Sequence, residues 1–478
     1  MDKHLANKNY HNSVRAICQQ SAFWKPFFAT NGLSQRKRGI LLLQGPVGPF
    51  FSRLQVYLET RGLDVRRVCF NAGDRFFARG MKRFSFGGSL DEWRNWLTEY
   101  LSAADIGYII LFGSERPVHK VALAVARQHG IRVLSLEEGY IRPGYVTVEE
   151  GGNNANSPIA GLLPPDDYDP VEQEAANVVP YRGLHSMCGY GALYYALRTV
   201  FQTSREKNIF HRPISVLPDI FLWARNGTRK VFRQHRCFAA IQKLLEHKDG
   251  RYFLVPLQVA VDSNMQDAAK GWDTTRLITA TLSSFARNPD TEARLVFKVH
   301  PLERGHFRHG PLIRATAEAL GIGDRVDVIE TGSLGLLARH AAGMITITST
   351  SGLSAIYHGT PLLVIVEAIY ANPRLAICAN GAPDFDTFWS TRHTASTAAR
   401  ASYISWLIKM SLVPGDFYAA DGMKAACEGV FAKLIHGAAS HKTATTDARS
   451  VAPSAGLRIV ANAKLPPQSN HHAVRNLE

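Results

Sequence analysis

The sequence has no uninterrupted run of roughly 20 apolar residues, the length a membrane-spanning helix needs. Its first residues hold no apolar core of the kind a secretory leader carries. A cytoplasmic protein is therefore expected. Cysteine is scarce and scattered: Cys18, Cys69, Cys188, Cys237, Cys378 and Cys427 include no C-x-x-C pair, which argues against a disulfide framework and for reduced, structural thiols. No Glu/His array has zinc spacing, and no metal is expected. The G-x-G-x-x-G fingerprint and the phosphate-loop lysine are missing, so a dinucleotide or ATP site is not expected. No repeat of solenoid period and no nucleic-acid reading module occur.

What is present is an ordinary globular balance, with 46% hydrophobic and 20% charged residues in 478. That length exceeds one ordinary core and predicts two lobes. Lys and Arg number 55 against 40 Asp and Glu, a net charge of +15. Such a surface favours polyanions, whether nucleic acid, nucleotide phosphates or acidic lipid headgroups, and charge alone does not choose among them.

Short apolar runs alternate with helical segments from Gly39: strands at Ile40–Leu43, Val65–Phe70, Tyr108–Phe112 and Ile131–Leu136, helices at Phe50–Arg61 and Val118–Gln128. The same alternation resumes with strands at Tyr252–Leu257, Leu295–Val299, Met344–Thr348 and Leu362–Val366. Alternation of this kind predicts an α/β protein with two Rossmann-like lobes, each a mostly parallel sheet covered on both faces. The organisation read from it is a basic N-terminal arm at 1–38, a first lobe at 39–165, a helical insertion at 166–249, a second lobe at 250–395, closing helices at 396–435 and a disordered tail at 436–478. The arm carries an aromatic knot, Phe23-Trp24-Lys25-Pro26-Phe27-Phe28, which either docks on the body or meets a membrane. In the insertion, Arg225, Arg229, Arg233 and Arg236 recur beside Phe221, Leu222, Trp223 and Phe232. That segment is either a solvated basic face or a cationic helix lying on an anionic bilayer.

Candidate chemistry clusters at strand ends, where open α/β sheets bind ligands. The first strand runs into Gln44-Gly45-Pro46-Val47-Gly48-Pro49, either a tight structural turn or a backbone cradle for an anion or sugar. Glu137-Glu138-Gly139 ends another strand, with Arg142 close behind. Neighbouring residues of a strand face opposite ways, so one glutamate is placed for acid or base work, unless the pair is simply a solvated loop end. In the second lobe Gln258 leads to Asp262 and Ser263; Asp262 is either a carboxylate nucleophile for an anomeric carbon or the cap of the next helix. Lys298, His300 and Pro301 follow one strand, and Ser349, Thr350, Ser351 and Gly352 another, groups suited to a phosphate.

In this order, the blocks Leu41–Phe51 (LLLQGPVGPFF), Phe70–Asp74 (FNAGD), Leu136–Pro143 (LEEGYIRP), Pro256–Ser263 (PLQVAVDS), Lys298–Pro301 (KVHP), Ser349–Pro361 (STSGLSAIYHGTP) and Asp384–Trp389 (DFDTFW) resemble the capsule polysaccharide biosynthesis family of Gram-negative bacteria, in its KpsS/LipB-type β-Kdo transferases. The resemblance spans about Gly39 to Trp389. It implies a GT-B-like fold whose second lobe holds CMP-Kdo as donor and whose first lobe faces a phosphatidylglycerol-type acceptor. It also implies a peripheral place on the cytoplasmic face of the inner membrane, beside a second Kdo transferase and the capsule export machinery, with no cofactor, metal or nucleic acid. Carried onto this chain, Asp262 is the nucleophile, with Glu138 and His300 also catalytic. Gln258, Ser263, Lys298, Pro301 and Ser349–Gly352 hold the donor, and Gln44, Gly45, Gly48, Glu137 and Arg142 lie on the acceptor side. Two rival readings stay open: another nucleotide-sugar enzyme, such as a sialyltransferase or epimerase, and a non-catalytic adaptor of the export machinery.

Overall fold

A computed structural model describes residues 39–170, 180–207, 209, 237–258, 269–288, 290–300 and 309–447, backbone only for 207 and 436–447. The N-terminal arm, the arginine-rich segment up to 236, Asp262, Ser263, Pro301 and the tail beyond 447 lie outside the described residues. The chain up to Lys433 forms one compact unit, and the short remainder from Leu434 a second.

The first lobe is a seven-stranded sheet. Its strands are β1 (Gly39–Leu42), β2 (Val65–Cys69), β3 (Arg83–Ser85), β4 (Ile106–Phe112), β5 (Arg132–Glu138) and β6 (Tyr145–Glu150), together with β13 (Leu412–Pro414) from far along the chain, in the order β13-β6-β5-β4-β1-β2-β3. Strands β1 to β5 run parallel, while β6 pairs antiparallel with β5 and β13 antiparallel with β6. The second lobe is a six-stranded, wholly parallel sheet: β7 (Tyr252–Pro256), β8 (Arg294–Lys298), β9 (Val326–Ile329), β10 (Gly343–Thr346), β11 (Leu362–Val364) and β12 (Ile377–Cys378), in the order β12-β11-β10-β7-β8-β9.

The two expected Rossmann-like lobes are thus present. Central strands such as β1 and β7 are buried at every position, as strands covered on both faces must be, which is why they read as unbroken apolar runs. The helix Leu90–Ala103 starts in a capping box, Ser89 with Glu92, and turns Trp93, Leu97 and Leu101 inward. Residues 396–435, expected as closing helices, hold the helix Thr397–Ser411, then β13, then a helix from Ala420. Strand β13 returns the chain to the first sheet, and the last helix runs on to Asp447. The five described cysteines form no disulfide. Among the described residues no helix is long and apolar enough to cross a membrane.

One segment ties the lobes together. After β6 the chain turns back to the carboxyl end of β4, where the Asn153 N–H donates to Ser114 Oγ (3.4 Å) and Asn156 Nδ2 to Glu115 Oε1 (2.5 Å). Between them Asn154 has φ 52°, a left-handed conformation that Asn tolerates better than most side chains. Its Nδ2 donates to the Thr348 carbonyl (2.9 Å) past the end of β10, and its Oδ1 accepts from the Ile369 N–H (3.1 Å). Beneath it lies Glu149, only 4% exposed. Its carboxyl accepts from Tyr140 Oη (2.5 Å), Ser157 Oγ (2.6 Å) and Ser411 Oγ (2.7 Å), joining β6, the crossing segment and the end of the helix Thr397–Ser411. Burial holds the pKa of Glu149 up.

Truncating Asn154 strands the buried Ile369 N–H and the Thr348 carbonyl, and a Cβ residue other than Asn or Asp is disfavoured at positive φ. Asn154→Ala is expected to cost about 2–4 kcal/mol in urea unfolding. Asn154→Gly, which relieves the backbone but not the lost bonds, should recover roughly 1 kcal/mol of that.

Candidate active site

At the carboxyl edge of the first sheet the residues that follow the strands interlock. Asn71, just past β2, caps the helix Ala72–Phe77 with its side chain, accepting from the Asp74 N–H (3.0 Å). Asp74 is buried; its carboxylate accepts from Phe70 N (3.0 Å), Asn71 Nδ2 (3.0 Å), Gln44 Nε2 (3.3 Å) and Tyr194 Oη (2.9 Å). Tyr194 comes from the helix Leu184–Val200, in the insertion. Its ring lies 2.6 Å from where a Gly73 Cβ would stand, so only glycine fits within the Phe70–Asp74 block. Gln44 is 3% exposed, and its Oε1 accepts from Arg116 Nη1 (2.9 Å), which also reaches the Gly45 carbonyl (3.2 Å).

The glycines after β1 admit rings of the chain itself. A Cβ on Gly45 would meet the Phe51 ring at 2.7 Å, and one on Gly48, at φ 110°, the Tyr190 ring at 2.8 Å. The turn is therefore packed by Phe51 and by the helix Leu184–Val200, and Gln44 is the polar group it presents.

Glu137 and Glu138 end β5, paired with Thr147 and Val146 of β6. Glu138 is half-buried, and its Oε1 accepts from Tyr418 Oη (2.9 Å). Burial raises its pKa, opposed by the charge of the exposed Arg142 and by the Tyr418 bond, while Asp416 pushes it further up. Tyr418 follows β13; beside it Phe417 packs edge-on against Phe50 and Phe112. Glu137 is half-buried and adds to the upward shift of Tyr140, on the side towards Glu149. The two glutamates thus have different surroundings, as the alternation of a strand requires.

In the second lobe Gln258, 7% exposed, lies two residues beyond β7, and its Oε1 accepts from the Thr348 N–H (3.1 Å). Lys298, at the end of β8, is buried with Nζ 3.3 Å from the Val299 carbonyl, and His300 is half-buried just beyond. Ser351 Oγ donates to Ser349 Oγ (2.8 Å), and Tyr370 Oη to the Ser349 carbonyl (2.6 Å). The Gly352 N–H donates to the Ser349 carbonyl (3.0 Å) and that of Leu353 to the Thr350 carbonyl (3.1 Å). These opening N–H groups are engaged in turns, and the Ser351 N–H also donates to Ser349 Oγ (3.2 Å). The Tyr370 ring fills the space where a Gly352 Cβ would lie.

The segment Asn153–Asn156 joins the Thr348 end of β10, through Asn154, to Ser114 and Glu115 beyond β4, through Asn153 and Asn156, so the carboxyl edges of the two sheets meet. Gln44 and Glu138 belong to one edge; Gln258, Lys298, His300 and Ser349 to Gly352 belong to the other. Asp384-Phe385-Asp386 serves the packing of its own lobe. Asp384 caps a short helix through the Thr387 N–H (3.0 Å), and Asp386 pairs with Arg287 (2.8 Å). Among the described residues no group of three or more His, Cys, Asp or Glu is placed to hold a metal ion. Sequence reasoning missed Arg116, Tyr194, Tyr418 and Asn154. Arg116 alone had a local signal, since it follows β4 as Gln44 follows β1 and directly precedes the helix Pro117–Gln128.

A profile described as "Capsule polysaccharide biosynthesis protein" matches residues 107–418. The chain is 35% identical over 334 residues to the capsule polysaccharide export protein KpsS of Escherichia coli, covering 69% of this chain and 85% of that one. It is 29% identical over 397 residues to the capsule polysaccharide modification protein LipB of Neisseria meningitidis serogroup B, covering 81% and 93%. Among solved structures, the beta Kdo 2,7 transferase of Thermosulfurimonas dismutans KpsC matches at 15% identity and a TM-score of 0.36, covering 84% of this chain and 99% of that one.

The Tyr418 hydroxyl stabilises the charged form of Glu138, so its removal must push the carboxyl pKa further up. Tyr418→Phe is expected to shift the midpoint of the Glu138 carboxyl ¹³C titration to higher pH, with the resonance assigned through Glu138→Gln.

Proposed function

This chain belongs to the capsule polysaccharide biosynthesis family, and we propose that it is a retaining glycosyltransferase that moves β-Kdo from CMP-Kdo to a phosphatidylglycerol-type lipid, starting the poly-Kdo linker of a capsular polysaccharide for export. The observation that carries this reading is the meeting of two carboxyl edges through Asn154 and Thr348. A donor on one lobe and an acceptor on the other would be brought face to face there. The ordered sequence blocks supply the choice of Kdo and of lipid.

In this reading the second lobe holds CMP-Kdo, with Lys298, His300 and the hydroxyls of Ser349, Thr350 and Ser351 directed at the phosphate. The Asp262 carboxylate attacks the anomeric carbon as its bond to the CMP phosphate oxygen breaks, and CMP leaves with the electron pair. An acceptor hydroxyl then attacks the same carbon, displacing Asp262 and giving its proton to Glu138; two inversions retain configuration. Glu138 suits the base role because burial raises its pKa while one hydrogen bond from Tyr418 orients it. Chemistry would take place on the cytoplasmic face of the inner membrane, the lipid arriving from the bilayer and the product passing to a second Kdo transferase and the export machinery.

The test is transfer from CMP-β-Kdo, generated in situ, to a fluorescent lysophosphatidylglycerol, followed by product mass. Wild-type protein is expected to add one Kdo, Asp262→Ala to add none, and Glu138→Gln to turn over roughly 10²–10⁴-fold more slowly. Absence of product from folded wild-type protein would replace this reading with a different donor or with a non-catalytic adaptor.

A further inference from the structure

Arg116 is a half-buried cation at the carboxyl edge of the first sheet with no carboxylate paired to it among the described residues. One guanidinium nitrogen, Nη1, is occupied, and both of its partners are neutral oxygens, Gln44 Oε1 and the Gly45 carbonyl. The opposite edge of the fork, Nε and Nη2, is bonded to no described residue. Beneath, Phe112 presents its ring 5.2 Å from Cζ.

The carboxylate whose charge Arg116 feels, Asp74, does not serve as its counter-ion. Asp74 is turned away behind Gln44 and already accepts four hydrogen bonds, from a backbone N–H, two side-chain amides and a phenol. Gln44 stands between the charges, its Nε2 towards Asp74 and its Oε1 towards Arg116, an orientation that both neighbours demand. The other titratable groups that Arg116 feels are phenols, those of Tyr194, Tyr195 and Tyr418. His119, three residues along, is fully buried; burial and the Arg116 charge push its pKa down to about 3, so it adds no charge, and its Nδ1 is bound to the Gly113 carbonyl (2.7 Å). That bond fixes the turn from which Arg116 projects.

A guanidinium taken out of water without a counter-charge is costly, and the free edge of its fork matches the paired oxygens of a phosphate. Tyr418 connects this edge with Glu138, whose Oε1 accepts its hydroxyl hydrogen. We propose that Arg116 is an anion-binding residue of the first lobe, receiving the phosphodiester of the lipid acceptor in a bidentate fork and so positioning the headgroup hydroxyl beside Glu138. This rests on the acceptor reading given above and names the group by which the acceptor is held.

The test is direct binding of glycerophosphoglycerol, the soluble headgroup, to the full chain by calorimetry, with CMP in a separate arm. The wild type is expected to bind the headgroup whether or not CMP is present, and Arg116→Gln to bind it at least about tenfold more weakly while binding CMP as before. Arg116→Lys, which keeps the charge and loses the fork, should fall between. If Arg116→Gln melts below the assay temperature, Arg116→Lys alone decides. Equal headgroup affinity in wild type and variants, no headgroup binding by the wild type, or competitive displacement of the headgroup by CMP would each overturn the proposal. Headgroup binding that depends on Arg116 without any sugar transfer would leave the proposal standing and defeat the transferase reading.

Discussion

The Asn154 side chain is the constraint on which the architecture turns. Two sheets, one mixed and one parallel, bring their strand ends together only if the polar backbone at those ends finds partners, because a buried N–H or carbonyl without one is expensive. Asn154 meets that need with a single amide, donating to the Thr348 carbonyl and accepting from the Ile369 N–H. Gln258 completes the arrangement by accepting from the Thr348 N–H. Both backbone polar groups of Thr348, its N–H and its carbonyl, are thus held by side chains, one from each lobe. The rigid platform under this contact is Glu149, whose four donors come from hydroxyl and amide groups. Its carboxyl has no basic hydrogen-bond partner among these, which is why burial dominates its pKa.

The same economy of charge governs the first-lobe edge. Asp74 and Arg116 are separated by an amide where a direct ion pair would have been possible chemically. A direct pair would have neutralised both groups and closed the edge. With Gln44 between them, Asp74 is satisfied by donors of the scaffold while the guanidinium keeps one face open. Glu138 follows a related logic: one phenol bond and the charge of Arg142 counter only part of its desolvation, so its pKa stays raised.

The fold was largely legible because parallel strands covered on both faces must be apolar along their whole length; Leu41, Leu42, Ile109, Ile110, Leu254 and Val255 announce their strands without any tertiary information. Edge strands were not. β3, with exposed Arg83 and Ser85, and the two-residue β12 have too little to bury to make a pattern. β13 is three residues long and finds its partner in β6, hundreds of positions away, so no local period marks it. The site divides along the same line. Strand-end residues Gln44, Glu138, Gln258 and His300 could be named because topology puts such positions at the ligand edge. Tyr194 and Tyr418 could not, since one reaches Asp74 from 120 residues away and the other Glu138 from 280. Gly73 shows the halfway case: it stands out within Phe70–Asp74, but its reason is the Tyr194 ring, which no local window contains.

These long-range partners bear on how the lobes depend on each other. The carboxyl edge of the first sheet is finished by Tyr194 from the insertion and by Tyr418 after the second lobe. The chain must therefore pass through the whole second lobe before the surroundings of Glu138 are complete. Phe417, wedged between Phe50 and Phe112, anchors that return in the first-lobe core, and Gly429 lets the last helix press onto Val413 of β13, at 2.5 Å from where its Cβ would stand. A first lobe cut off at its sequence boundary would retain β1 to β6 and lose the groups that bury and orient its glutamate. The division into two lobes is accordingly one of sheets, while the candidate site belongs to the whole unit up to Lys433.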